Sequence, residues 1–170
     1  AMLLTGYSIW PGVFLGSFLA NLDPSSLSEA ENLQHTLSLL LIWSGIAAGA
    51  AMQAVGSTYL LKRFAKFPNN LTSWRELSLF FTFSGPVGCL INCTIGTSSL
   101  VIGGIITTTV WPTAWGTWWL GDTLGALIFT PLILVWGLRP KEQWRERRKA
   151  VTIFLAGSFA LAVVVFNLGQ

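Results

Sequence analysis

Charged residues are scarce in this sequence. The 170 residues include 10 Lys and Arg and 7 Asp and Glu, or 10 % of the chain, and 52 % of the residues are hydrophobic. An average soluble domain carries about 25 % charged residues. So few charges cannot cover a water-soluble surface, and the apolar, aromatic-rich composition excludes a disordered chain. The composition therefore predicts an integral membrane protein.

Cysteine and histidine are also scarce. The two cysteines, Cys89 and Cys93, lie four residues apart in an apolar stretch and predict buried packing on one helix face rather than a disulfide framework. The single histidine, His35, has only Glu29 and Glu31 near it in sequence, too few ligands for a closed metal site. Phosphate-binding loops, nucleophile elbows and zinc-protease helices are missing from the sequence. We predict no enzyme activity, cofactor or metal for this chain.

Long apolar runs dominate instead. A bilayer crossing needs about 20 predominantly apolar residues, and this length predicts an all-α, polytopic transmembrane bundle. The third run is too long for one straight crossing, and Gly85-Pro86 interrupts it, so we predict one crossing with a kink or break. The five predicted spans cover residues 2–22, 36–61, 77–106, 115–137 and 150–168.

The positions of the basic residues predict an orientation. All ten lie in two loops, four in 62–75 and six in 138–149, whereas loop 22–35 is acidic and loop 107–114 is uncharged. Basic loops face the cytoplasm, so the other two loops are predicted outside, in a multi-pass membrane protein. We exclude a nucleic-acid partner, because no soluble fold or motif carries the basic residues. Both ends of the chain lie close to apolar sequence, so we expect a fragment of a longer protein.

Three polar residues lie well inside the predicted spans. Asp122 is the only acid in a span, and a carboxylate at the bilayer centre costs about 2.5–3.5 kcal/mol to insert. It marks either a ligand, proton or polar-network site, or a carboxylate that packs helices together. Gln53 and Asn92, with Thr94 close by, either hydrogen-bond between helices or converge with Asp122 in one ligand cavity.

Small residues recur at four-residue spacing in three spans. They form flat faces that allow two helices to approach closely, within the chain or in a homodimer. We favour packing within the chain. The residues are Gly12, Gly16 and Ala20, then Gly45 and Gly49, and finally Gly121 and Gly125.

Three segments carry a family resemblance. Residues 10–21, WPGVFLGSFLAN, resemble a WPG-x-FLG-x-x-LAN segment, and residues 54–64 resemble a segment that ends in a basic LLRR-like cluster. Residues 118–125, WWLGDTLG, followed by Pro131-Leu132, resemble a WWLGD-x-LG…PL signature. The family is the first type of membrane-associated sensor (MASE) domain. Its members form the N-terminal membrane part of bacterial histidine kinases and cyclic-di-GMP turnover proteins.

The resemblance implies that residues 1–170 form one sensory input domain, which detects a small ligand or a membrane condition and relays it to a cytoplasmic output domain. Two alternatives stay open: a solute-transport component, and a structural anchor that docks a partner. The expected partners are the lipid bilayer, a small-molecule ligand, and a second copy or another membrane protein. Our candidate ligand-binding or signalling residues are Asp122, Trp118, Trp119, Asn92, Gln53 and Asn21.

Overall fold

A computed structural model describes residues 2–66 and 74–137, and in these ranges the chain is helical with no strand. The helices are α1 (Met2–Thr5), α2 (Trp10–Asn21), α3 (Pro24–Ser28), α4 (Leu33–Phe64), α5 (Trp74–Ser84), α6 (Pro86–Ile102) and α7 (Trp111–Gly137), with a short 3-10 turn at Tyr7–Ile9. The predicted loop 138–149 and the predicted span 150–168 lie outside the described residues.

The chain divides into two compact units, Ala1–Pro131 and Leu132–Gln170. In the first unit, α2 and α6 both pack along the long helix α4, and α5 contacts α4 and α6. The described part of the second unit is the last stretch of α7, which ends at Gly137. All of the side-chain geometry below belongs to the first unit.

The first predicted span is interrupted near its start. We expected an uninterrupted run over residues 2–22, but α1 ends before Gly6, whose φ of 91° lies outside the helical region. The 3-10 turn follows, and α2 then begins at Trp10 with Pro11 in its first turn. Proline suits that position because the first N–H groups of a helix have no partner within the helix.

The third predicted span is broken where the sequence indicated. Gly85 alone separates α5 from α6, and Pro86 begins α6. Backbone hydrogen bonds continue on both sides, from Gly85 N–H to the Phe81 carbonyl and from Cys89 N–H to the Gly85 carbonyl. The stretch is therefore one kinked element, which ends at Ile102 rather than at residue 106.

Two helices in the described residues are long and apolar enough to cross a membrane. They are Leu33–Phe64 and the kinked stretch Trp74–Ile102, of 32 and 29 residues. Exposed apolar side chains also follow one face of α7 at four-residue spacing, at Leu120, Leu124 and Ile128. A contiguous exposed apolar face is rare on monomeric soluble proteins and suits contact with lipid.

The connection between α2 and α4 is held by side-chain caps. Asp23 accepts hydrogen bonds from the backbone N–H groups of Ser25 and Ser26 and so caps α3, and Asn32 caps α4 by accepting from His35 N–H. Such caps satisfy N–H groups that a helix start leaves without partners. They explain why α4 begins at Leu33, three residues before the predicted span.

Candidate functional site

A polar contact joins α6 to α7. The side-chain amide nitrogen Nδ2 of Asn92 donates to Oδ2 of Asp122 at 2.8 Å. Asn92 is 7 % exposed, and Asp122 is partly buried. Two of the polar residues that the sequence indicated are thus direct partners. The hydrogen bond satisfies one carboxylate oxygen without a positive charge.

A polar cavity surrounds this contact. Its volume is about 410 Å³, and it is lined by residues from α1, α2, α4, α5, α6 and α7. Gln53 lies in the same cavity and donates from Nε2 to the sulfur of Cys89 at 3.4 Å. The predicted convergence of Gln53, Asn92 and Asp122 is therefore present. The polar lining residues are Gln53, Ser57, Thr58, Ser84, Asn92, Asp122 and Thr130.

Several polar groups of the cavity lining have no hydrogen-bond partner among the described residues. The amide nitrogens of Gln53 and Asn92 both have partners, as described above. By contrast, four buried oxygen atoms of the lining residues have none, namely Gln53 Oε1, Ser57 Oγ, Ser84 Oγ and Asn92 Oδ1. Buried polar atoms are normally hydrogen-bonded, so a group of this kind calls for an explanation.

Glycines make room for the polar side chains. A Cβ atom on Gly49 of α4 would lie 2.9 Å from Asn92 Oδ1, and one on Gly88 of α6 would collide with Ser57 Oγ. The predicted small-residue face at Gly45 and Gly49 thus packs against α6. Around Gly12, Gly16, Gly121 and Gly125, no described residue lies within 4 Å of such a Cβ.

Three tryptophans of α7 contact α6 outside the cavity. Trp119 Nε1 donates to the Pro86 carbonyl at 2.8 Å, and Trp115 Nε1 donates to Thr94 Oγ1 at 3.0 Å. The rings of Trp115 and Trp119 stack with centroids 6.1 Å apart. Trp118 lies over Gly96, where a Cβ would approach its ring to 3.1 Å. The described lining of the cavity includes neither Thr94 nor any of the three tryptophans.

Asn21 lies apart from this site. Its Nδ2 donates to the Ser17 carbonyl at 2.8 Å, within its own helix α2. Ser57 and Ser84 do line the cavity, yet sequence reasoning passed over them. A signal existed for Ser57, because it follows Gln53 by four residues and so shares its helix face. Serine is common in membrane helices for packing alone, which hides such a role.

A second, apolar groove of about 710 Å³ runs between α2 and α4 and reaches α6. Its aromatic wall consists of Tyr7, Trp10 and Phe14, and Ile91 of α6 also lines it. The Lys62 ammonium lies 4.4 Å from the centre of the Tyr7 ring. The described lining of the groove has no cluster of polar side chains. The candidate functional site is therefore the cavity around Asp122 and not the groove.

Comparisons with known proteins give one match. A family model described as MASE1, the membrane-associated sensor domain, matches residues 1–169. No curated protein and no solved structure matches the chain.

Proposed function

Because the chain belongs to the MASE1 family of membrane-associated sensor domains, we propose that it is the sensory input domain of a bacterial signal-transduction protein. It detects a small ligand or a membrane condition and relays it to a cytoplasmic output domain, a histidine kinase or a cyclic-di-GMP enzyme. It has no catalytic role of its own.

The observation that carries this proposal is the polar cavity around the Asn92–Asp122 hydrogen bond. A carboxylate inside a bilayer costs about 2.5–3.5 kcal/mol at the centre and is a functional candidate by default. Asp122 of α7 and Asn92 of α6 are hydrogen-bonded and both line the cavity, so a ligand that contacts both side chains binds one spacing of the two helices more tightly than another. Binding therefore favours one arrangement of the two helices, which is the differential affinity that a sensor requires.

The proposed topology has five spans in the bacterial inner membrane, with loops 62–75 and 138–149 in the cytoplasm. The alternation of basic and non-basic loops supports it. The lengths of α4 and of the α5–α6 stretch also support it, as does the single crossing that the kink at Gly85 allows.

The test replaces Asp122 with Asn in the native full-length protein and measures its output, as kinase autophosphorylation or as cyclic-di-GMP level. We expect the output to lose its response at normal membrane levels of the protein. Thr117→Ala is the matched control, since Thr117 lies on the same helix as Asp122 but outside the cavity lining, and its hydroxyl donates to the Thr113 carbonyl within α7. An unchanged response in Asp122→Asn would refute the sensing role of this site.

One observation favours a transport component as a second candidate: a broken helix, α5–α6, lies beside a polar cavity. Secondary transporters build their binding sites in this way. Uptake into proteoliposomes separates the two proposals. Substrate-dependent flux would support transport, whereas an intact output response without flux would support sensing. An output that survives replacement of all spans by unrelated ones would instead indicate a structural anchor.

A further inference from the structure

We propose that the cavity around Asp122 binds a small amphiphilic primary ammonium ion, an alkylamine in its charged form. This inference names a ligand class for the site on which the proposed function rests. It is carried by the charge of the cavity, by its hydrogen-bonding groups and by its size and shape.

The described lining of the cavity carries one formal charge, and that charge is negative. Asp122 is the only charged residue among the fourteen described residues that line it, and no Lys, Arg or His is among them. Among the described residues, its carboxylate accepts a hydrogen bond from Asn92 and forms no ion pair. A cationic ligand complements such a site, whereas an anionic ligand would place two negative charges together in a low-dielectric environment.

The unpartnered polar groups of the cavity lining can accept hydrogen bonds from a ligand. The carboxamide oxygens of Gln53 and Asn92 can only accept hydrogen bonds, and neither has a partner among the described residues, whereas each amide nitrogen has one. The hydroxyls of Ser84 and Ser57 also have no partner, and a hydroxyl can accept a hydrogen bond as well as donate one. Ser84 and Asn92 are each only 7 % exposed. A primary ammonium has three N–H donors and no acceptor, so it supplies what these oxygens lack.

The size and the lining of the cavity favour an organic cation over a metal ion, and an alkylammonium over a quaternary ammonium. A volume of about 410 Å³ is in the range of small-molecule sites and is far larger than a bare metal ion requires. No aromatic residue is among the described residues of its lining, and quaternary ammonium ions are typically held by aromatic cages. An alkyl chain suits the rest of the wall. Its apolar members are Met2, Leu3, Val13, Ala50, Ala54, Leu61 and Ala126.

The experiment titrates three probes by calorimetry into the chain reconstituted in lipid nanodiscs at pH 7, with empty nanodiscs subtracted. The probes are n-butylammonium, tetramethylammonium, which has the charge but no N–H donor, and butyrate, which has the chain but the opposite charge. We expect saturable binding of n-butylammonium, at least about ten-fold tighter than either other probe. Equal binding of tetramethylammonium, or no saturable binding of n-butylammonium, would overturn the proposal.

Variants locate the binding in the cavity. We expect Asp122→Asn to weaken n-butylammonium binding about ten-fold or more, and Ser84→Ala about three-fold. Ala126→Leu keeps the carboxylate but fills part of the cavity, and it should abolish binding even if Asp122→Asn does not fold. Thr117→Ala is the control: the Thr117 hydroxyl donates to the Thr113 carbonyl of its own helix, outside the cavity, so this variant should bind as the unaltered chain does. Wild-type affinity in all the folded cavity variants would contradict the assignment.

The two proposals fail in different ways. If n-butylammonium does not bind while Asp122→Asn still abolishes the output response, the ligand class is wrong and the sensing role of the site stands. If n-butylammonium binds and the output ignores Asp122→Asn, the ligand class stands and the sensing role fails.

Discussion

Helix α6 is held by two different kinds of contact on its two sides. Towards α4, the contact depends on close approach: Gly45 and Gly49 of α4 and Gly88 of α6 leave no room for a Cβ atom. Towards α7, it depends on polar side chains, through Asn92 with Asp122 and through the indoles of Trp115 and Trp119. Steric packing tolerates few alternatives. Hydrogen bonds between side chains can exchange partners, so the α6–α7 contact is the one suited to respond to a ligand.

The largest expected effect tests the steric side. In Gly88→Ala, the new Cβ meets Ser57 Oγ and lies 2.6 Å from the Phe83 carbonyl oxygen. Because backbone cannot move aside cheaply, we expect a loss of about 1–3 kcal/mol in the free energy of unfolding. Thermal unfolding in detergent micelles measures it.

Gly12→Ala is the matched control for that variant. No described atom lies within 4 Å of a Cβ at Gly12. An alanine in a helix interior is favoured over glycine by about 0.5–1 kcal/mol, so the control should keep or gain stability. Similar losses in both variants would show that the difference between the two glycine positions is not steric.

The next effect tests the polar side. A double-mutant cycle of Asn92→Ala and Asp122→Ala isolates the energy of their hydrogen bond. Such bonds in membrane proteins average about 0.6 kcal/mol and reach about 1.7 kcal/mol. We expect a coupling free energy in this range from unfolding in micelles. A coupling near zero would mean that the two side chains do not stabilise the α6–α7 contact together.

A smaller effect is expected at Trp119. Trp119→Phe keeps the ring but removes the donor to the Pro86 carbonyl, so the free energy of unfolding should fall by about 0.6 kcal/mol. Trp74→Phe is the control, since Trp74 is 81 % exposed at the start of α5. If both variants lose the same amount, the cost belongs to the indole itself and not to the contact with α6.

The smallest expected effect concerns the Asp23 cap of α3, which lies outside both contacts of α6. Hydrogen bonds from the hydroxyls of Ser26 and Ser25, and then from the Ser25 N–H, lower the pKa of Asp23 from 3.8 to about 2. The folded pKa is below the unfolded one, so the cap contributes fully above about pH 3.8 and is lost as pH falls through about 2.

NMR detection of the Asp23 carboxyl carbon against pH measures that titration. Asp23→Asn keeps a side-chain acceptor and should preserve α3, whereas Asp23→Ala should unravel it. Neither variant should change the Asn92–Asp122 coupling. A midpoint close to 3.8 would show that the serine hydrogen bonds are absent in solution.

The sequence allowed much of this arrangement to be predicted, because rare residues carry strong signals. The Gly85-Pro86 pair indicated the kink, and the scarcity of polar groups in the spans brought out Gln53, Asn92 and Asp122. The break at Gly6 was missed, since a single glycine in a helical pattern is usually tolerated. Thr94 was grouped with the cavity but accepts from Trp115 instead. Thr94 lies two residues after Asn92 on α6, and residues at that spacing face different sides of a helix, so helix geometry alone could have separated them.

The single-residue joint at Gly85 has a mechanical consequence. A flexible linker would absorb a displacement of α6, but one residue with backbone hydrogen bonds on each side has little slack. A Cβ at Gly85 would also lie 2.8 Å from the Leu127 side chain of α7, so the joint is braced from that side as well. We therefore expect a tilt of α6 at the cavity to move α5 as well. The far end of α5 carries Trp74 and Arg75, some fifteen Å from the joint at about 1.5 Å per residue.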